Sequence, residues 1–200
     1  MRASDAISPP IDQLLRLAEV AAEMHSLLLL DSAWTGAEKL SLANGGDTSG
    51  VAAIGERVDA SLVQLAESTS FLRDLMRNFT PWFDAQIDAA LLSNKLSDGQ
   101  LATISTLLKG SSDSYADNGI AVMDDLAARI PAERNGLNAK IAQIKNGGEI
   151  VTDLDTATVC GIATGFGMAS LTACVVFDAP AFCLSGGADL IMVMALCPHH

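Results

Sequence analysis

Apolar residues recur at steps of three and four along the first three quarters of the chain. The longest such run lies between residues 51 and 79 and forms a heptad-like seam: Val51, Ile54, Val58, Leu62, Leu65, Thr69, Leu72, Met76 and Phe79. A helix over this stretch is roughly 43 Å long, so its packing partners must be long helices too. The pattern predicts an all-α fold, in which long helices form an elongated antiparallel bundle.

Turn signals divide this helical part into further predicted elements. An amphipathic helix follows Pro9-Pro10 and is expected to end between Asp31 and Trp34. Thr80-Pro81 has the form of an N-cap and a first-turn proline, which predicts that a new helix starts there. The remaining helices are predicted over residues 97–109, 114–130 and 131–146, with Asn146-Gly147-Gly148 as the final stop signal.

The composition of the chain changes at this stop signal. All 12 Lys and Arg residues lie between Arg2 and Lys145, whereas all four cysteines lie after Lys145. The break predicts two parts, an amphipathic helical bundle over 1–148 and a hydrophobic, cysteine-containing hairpin over 149–200. With 24 Asp and Glu the net charge is −12. Nucleic-acid binding needs clustered basic side chains, so we expect no nucleic-acid partner.

The second part contains two long stretches with almost no charge. Thr156–Phe177 has no charged residue, and Ala179–Cys197 has Asp189 as its single charge. Each stretch is about long enough to cross a bilayer as a helix, which takes roughly 20 apolar residues. Asp178-Ala179-Pro180 lies between them and favours a reversal of the chain. The sequence therefore predicts a hydrophobic hairpin.

The spacing of the cysteines fits this hairpin. Cys160 and Cys174 lie two heptads apart in the first arm, and Cys183 and Cys197 lie two heptads apart in the second. Only the nested pairing of Cys160 with Cys197 and Cys174 with Cys183 agrees with the turn between the arms. Free buried thiols are the alternative.

The arms are predicted to be helices, with a short β-tongue of residues 173–177 facing residues 181–184 as a second possibility. A spacing of two heptads returns both cysteines of an arm to one helix face, but it is also an even step, so two strands would do the same. Small residues at unbroken four-residue steps favour the helical form of the first arm: Ala157, Gly161, Gly165, Ala169 and Ala173. Such a stripe of small residues lets a second helix backbone approach closely.

Long heptad helices followed by a hydrophobic hairpin resemble, in layout, the α-helical pore-forming toxins of the cytolysin A and haemolysin BL type. The resemblance implies a protein that is soluble first and then inserts its hairpin into a lipid membrane, as a homo-oligomer or with a partner subunit. In this interpretation the residues expected to take part in insertion are Gly161, Gly165, Ala169, Phe177, Asp178, Pro180, Phe182 and Asp189. A carboxyl group enters a bilayer more easily when protonated, so Asp178 and Asp189 predict easier insertion in acid.

Other interpretations remain open. The hairpin is equally compatible with the core of a soluble, non-enzymatic interaction or structural protein. Gly147-Gly148 also resembles the double-glycine cleavage site of bacteriocin precursors, which would release residues 149–200. No catalytic constellation is present in the sequence, so we expect neither an enzyme nor a cofactor, and a metal contact by Cys197, His199 and His200 is taken as incidental.

The compartment follows from the cysteines. Disulfides imply an oxidising setting, so we expect a secreted or extracellular protein that associates with membranes. The segment Met1 to Pro10 lacks a signal-peptide pattern, which implies unconventional export or a signal that has been removed.

Overall fold

Four long helices account for most of the described chain. The computed structural model describes residues 11–92, 97–177 and 197. The helices are α1 (Ile11–Ala43), α2 (Ser49–Leu92), α3 (Asp98–Lys145) and α4 (Thr156–Phe177), and none of the described residues is in a strand. The prediction of a helical chain is confirmed for this part. At 1.5 Å per residue, α2 and α3 are about 66 and 72 Å long.

The helices are longer than the sequence predicts, because four expected ends or breaks are absent. α1 continues past Trp34 to Ala43, and it ends where Gly45 and Gly46 take positive φ angles of 82° and 91°. α2 runs through Pro81, and α3 runs both through residues 110–113, where a break is predicted, and through Pro131. A proline inside a helix leaves one backbone carbonyl without its donor. Both prolines lie on exposed faces, where water is available to that carbonyl.

Packing explains why the helices continue through these points. Ile130 and Leu137 lie on either side of Pro131, and both are 1% exposed, so the core holds the two halves of α3 in line. Trp34 is completely buried and keeps α1 on the core beyond its predicted end. The alternative of a β-tongue is wrong for residues 173–177, since these residues belong to α4.

α2 and α3 run antiparallel along their length. As the position in α2 advances towards Leu92, the partner in α3 moves back towards Asp98. Four side-chain ion pairs follow this register: Glu56 with Lys145, Asp59 with Arg134, Arg73 with Asp124, and Asp88 with Lys109. Most of these side chains are well exposed, so the pairs mark the alignment of α2 with α3 and add little stability.

α1 and α4 pack beside this pair, and all four helices contribute to one core. Arg16 of α1 donates to Ser68 of α2 over 3.1 Å, and Trp34 of α1 lies against Gly55 of α2, so these helices are antiparallel as well. α4 contacts α1 on one side and α3 on the other. Both α2 and α3 extend past the start of α1, and Leu92 and Leu107 near their far ends are exposed.

The predicted stop signal after α3 is confirmed. α3 ends at Lys145, Gly147 has a φ of 73°, and the Gly148 N–H donates to the Gln143 carbonyl over 2.9 Å. The last turn of α3 is thus closed by Gly147 in the left-handed conformation. A residue with a side chain would adopt this conformation only under strain. The change in composition therefore coincides with the connection from α3 to α4.

Candidate functional site

α4 differs from the other three helices in carrying no charged residue at all. Ile162 and Ala169 are completely buried, and four consecutive residues, Gly167 to Ser170, are buried as well. Consecutive residues on a helix point in different directions, so this part of α4 is enclosed on several sides. This part of α4 therefore belongs to the core of the bundle.

The small residues of α4 face large side chains from α1 and α3. A Cβ atom placed on Gly165 would lie 2.8 Å from the Met123 Cε atom and 3.0 Å from the Met24 Cε atom. A Cβ atom placed on Gly161 would lie 3.9 Å from the Leu126 Cβ atom. The sequence predicts that the stripe admits a second helix backbone, but its described contacts are with side chains that fill the space above the glycines.

Four buried methionines, one from each helix, lie against two glycines, Gly165 of α4 and Gly119 of α3. Met24 and Met123 cover Gly165, whereas Met76 and Met168 cover Gly119 of α3. We call these four side chains the methionine layer. Thioether chains are unbranched and flexible, so they fill irregular space without fixing one packing arrangement. The sequence pattern does not distinguish these methionines from other core residues, because methionine and leucine occupy the same apolar positions of a heptad.

One tyrosine provides a polar contact between α3 and α4. The Tyr115 hydroxyl donates to the Met168 carbonyl over 2.8 Å and lies 3.3 Å from the Thr172 hydroxyl, which donates to the same carbonyl. Burial raises the pKa of Tyr115, so the phenol stays protonated and remains a donor. No pattern in the sequence points to this residue.

An extended segment over residues 149–155, which we call the strap, leads from α3 into α4. Its residues alternate between the core and the solvent: Thr152 and Leu154 are buried, while Val151, Asp153 and Asp155 are exposed. Asp155 caps α4 by accepting from the Ala157 N–H over 3.1 Å. The strap is thus an ordered part of the fold.

Side chains of α1 and α3 bind the strap at four successive positions. The Thr152 hydroxyl donates to Glu38 over 2.7 Å, and the Leu154 N–H donates to Asp31 over 3.1 Å. The Asp155 N–H donates to Glu133 over 2.9 Å, and the Lys140 Nζ atom donates to the Asp153 carbonyl. These partners lie far from the strap in sequence, so no local pattern predicts them.

Burial raises the pKa of Asp31, one of these partners. The nearby carboxylates of Asp153 and Glu133 raise it further, while the Leu154 N–H and the Lys140 ammonium group oppose the increase. Ionised Asp31 is therefore less favourable in the folded protein than in water.

The structure joins Cys160 and Cys197, the outer pair of the predicted nested set, with 5.9 Å between their Cα atoms. The bond ties the position of Cys197 to the first half of α4. Cys174 and Phe177 lie in the last turn of α4. Asp178, Pro180, Phe182, Cys183 and Asp189 are outside the described residues, so the inner pairing and the two carboxylates of the hairpin stay predictions.

Two functional features are absent from the described residues. No group of three or more His, Cys, Asp and Glu side chains there is placed to hold a metal ion. Within the same residues, no helix has both the length and the apolar character needed to span a membrane.

No protein-family model matches the chain, and neither the curated proteins nor the solved structures include a match.

Proposed function

We propose that this chain is a membrane-active helical protein that stores an apolar hairpin, α4 and the segment after it, and inserts this hairpin into a lipid membrane. The observation that carries the proposal is the absence of charge on every face of α4. A helix that is apolar all round is found in the core of a protein or in a membrane. The other three helices carry charged residues on exposed faces, for example Glu19, Glu67 and Asp117.

The contacts of α4 support storage followed by release. α4 has no charged residue that could form an ion pair, and its neighbours in the methionine layer are flexible side chains that adapt to new packing. The Cys160–Cys197 disulfide ties both arms of the hairpin, so they would move as one unit. Insertion of the hairpin as a unit does not require any one described helix to span the bilayer alone.

A second candidate function is a soluble bundle with the hairpin as its permanent core, acting through protein partners. The complete burial of Ile162 and Ala169 and the Tyr115 hydrogen bond to α4 favour this alternative. Under it, α4 contributes only stability.

Dye release from lipid vesicles distinguishes the two functions. The oxidised, full-length protein is added to vesicles of neutral and of anionic lipid, at neutral and at mildly acidic pH. Release of dye in any of these conditions is the result expected for the membrane function. No release in all of them, from protein that is helical by circular dichroism and monodisperse, contradicts it and supports the soluble bundle.

A further inference from the structure

The strap connects the charged part of the chain to its uncharged helix, and carboxylates from two helices hold it. Glu38 and Asp31 of α1 and Glu133 of α3 each accept a hydrogen bond from a different strap residue. We propose that the strap is a pH-graded latch for α4, and that Asp31 sets its strength. The biological consequence of the latch rests on the proposed membrane function, whereas the latch itself is a property of the folded chain.

Negative charge exceeds positive charge around Asp31. Asp153 of the strap and Glu133 of α3 are the nearby carboxylates, and Lys140 of α3 is the nearby cation. α4, which begins directly after the strap, supplies no charge. No charge of α2 is among the groups that shift the pKa of Asp31. Arg129 of α3, which interacts with Asp155 of the strap, is paired with Asp125 over 2.6 Å. An ionised Asp31 is therefore partly desolvated and faces two like charges, which the Leu154 N–H and, among the described residues, one lysine oppose.

Asp31 has two roles in the latch. Its carboxylate accepts a hydrogen bond from the Leu154 N–H, and its negative charge is repelled by the nearby carboxylates. Leu154 is 5% exposed, so its N–H would have no water to bond if the carboxylate moved away. A neutral acceptor at position 31 would keep this hydrogen bond and remove the repulsion. The geometry thus separates the two roles of one side chain, acceptor and charge.

The sign of the pH response follows from the raised pKa of Asp31. A carboxyl whose pKa is higher in the latched state than the ordinary value of 3.8 binds a proton more readily there. Its contribution to the latch is fully present below the ordinary pKa and is lost as the pH rises through the raised pKa. Acid therefore tightens the strap, whereas the sequence predicts that acid eases insertion at Asp178 and Asp189. Release of α4 at the strap is favoured by neutral pH.

Amide hydrogen exchange over residues 150–158 tests the latch in the full-length, oxidised protein. After correction for the intrinsic pH dependence of exchange, the wild-type segment is expected to be better protected in mild acid than at neutral pH. Asp31→Asn retains an oxygen acceptor, so it should slow exchange at neutral pH and flatten the pH profile. Asp31→Ala removes the acceptor and should accelerate exchange about tenfold, as for the loss of one buried hydrogen bond to a charged group.

A matched control removes one exposed charge elsewhere on α3. Asp117→Asn lowers the net negative charge by the same amount as Asp31→Asn, and it should leave exchange over residues 150–158 unchanged. The latch is wrong if Asp31→Asn exchanges as fast as Asp31→Ala, or if the wild-type strap loses protection in mild acid.

Vesicle assays on the same variants separate the latch from the membrane function. If wild type and Asp31→Asn both release dye at neutral pH at equal rates, the regulatory role of the latch is overturned and the membrane function is supported. If exchange follows the prediction but no variant releases dye at any pH, the latch is supported and the membrane function is overturned. Slower release by Asp31→Asn than by wild type supports both.

Discussion

Two crowded glycines in the same core are packed in opposite ways. A Cβ atom on Gly55 would lie 2.9 Å from Ile141 and 3.0 Å from the ring of Trp34. A Cβ atom on Gly165 would be equally crowded, but by the Cε ends of Met123 and Met24. The indole is rigid, whereas a thioether end moves by bond rotation. The core is therefore fixed near Trp34 and adaptable beside α4.

This difference indicates which part of the core tolerates rearrangement. α1, α2 and α3 meet at Trp34, Gly55 and Ile141, and this contact defines how the three charged helices pack. α4 meets the others through the methionine layer, the Tyr115 hydrogen bond and the contact of Gly161 with Leu126, and the strap connects it to α3. Side-chain changes beside α4 are therefore expected to cost less stability than changes at the Trp34 contact.

The largest expected effect comes from truncating the rigid contact. Trp34→Ala leaves a large cavity in the core and should destabilise the protein by about 3–5 kcal/mol. Met123→Leu, a swap of similar volume in the adaptable contact, should cost less than about 1.5 kcal/mol. Urea denaturation followed by circular dichroism measures both. Equal losses for the two variants would remove the distinction between the regions.

A smaller effect is expected when the two glycines are changed alike. Gly55→Ala should destabilise by about 1–3 kcal/mol, because neither the indole nor Ile141 moves aside without cost. Gly165→Ala should stay within about 1 kcal/mol of wild type, since the methionine ends rotate away and alanine favours the helix. Thermal melts of the pair provide the comparison, and a larger loss at Gly165 than at Gly55 would reverse it.

The smallest effect is expected at glycines that touch neither region. A Cβ atom on Gly36 of α1 or on Gly136 of α3 would meet nothing within 4 Å. Gly36→Ala and Gly136→Ala should each stabilise the protein by about 0.5–1 kcal/mol through helix propensity alone. These variants set the baseline for the crowded glycines. A loss of stability in the same denaturation assay would mean that the outer faces of α1 and α3 are packed against something.

Much of the helical framework follows from the sequence, and the interruptions do not. The heptad seam over 51–79 predicts the central part of α2, and Asn146-Gly147-Gly148 predicts the end of α3. Pro81 and Pro131 predict breaks because local propensity disfavours a proline inside a helix. Long-range packing outweighs that preference, because Ile130 and Leu137 are buried on either side of Pro131, as Met76 and Ile87 are on either side of Pro81. No single-sequence pattern reports such packing.

The candidate site is likewise predicted from the sequence only in part. The uncharged stretch that becomes α4 and the spacing of Cys160 and Cys197 are visible in the sequence. The partners of the strap are not visible, since Asp31, Glu38 and Glu133 look like ordinary charged positions of amphipathic helices. Only the fold brings them to one connection.

Release of α4 is the central claim, and a disulfide that holds α4 in place tests it most directly. The Cβ separation of 3.9 Å between positions 126 and 161 lies within the range of about 3.5–4.5 Å that a disulfide requires. Peptide mapping verifies that the double variant Leu126→Cys/Gly161→Cys forms this bond, because position 161 adjoins Cys160. Leu126→Cys alone is the control, and wild type is measured in parallel under reducing conditions.

We expect the oxidised double variant to be helical but to release no dye from vesicles under conditions in which wild type and the single variant release it. Dye release by the locked protein at the wild-type rate would contradict the proposed release of α4, because α4 would then not need to leave the bundle.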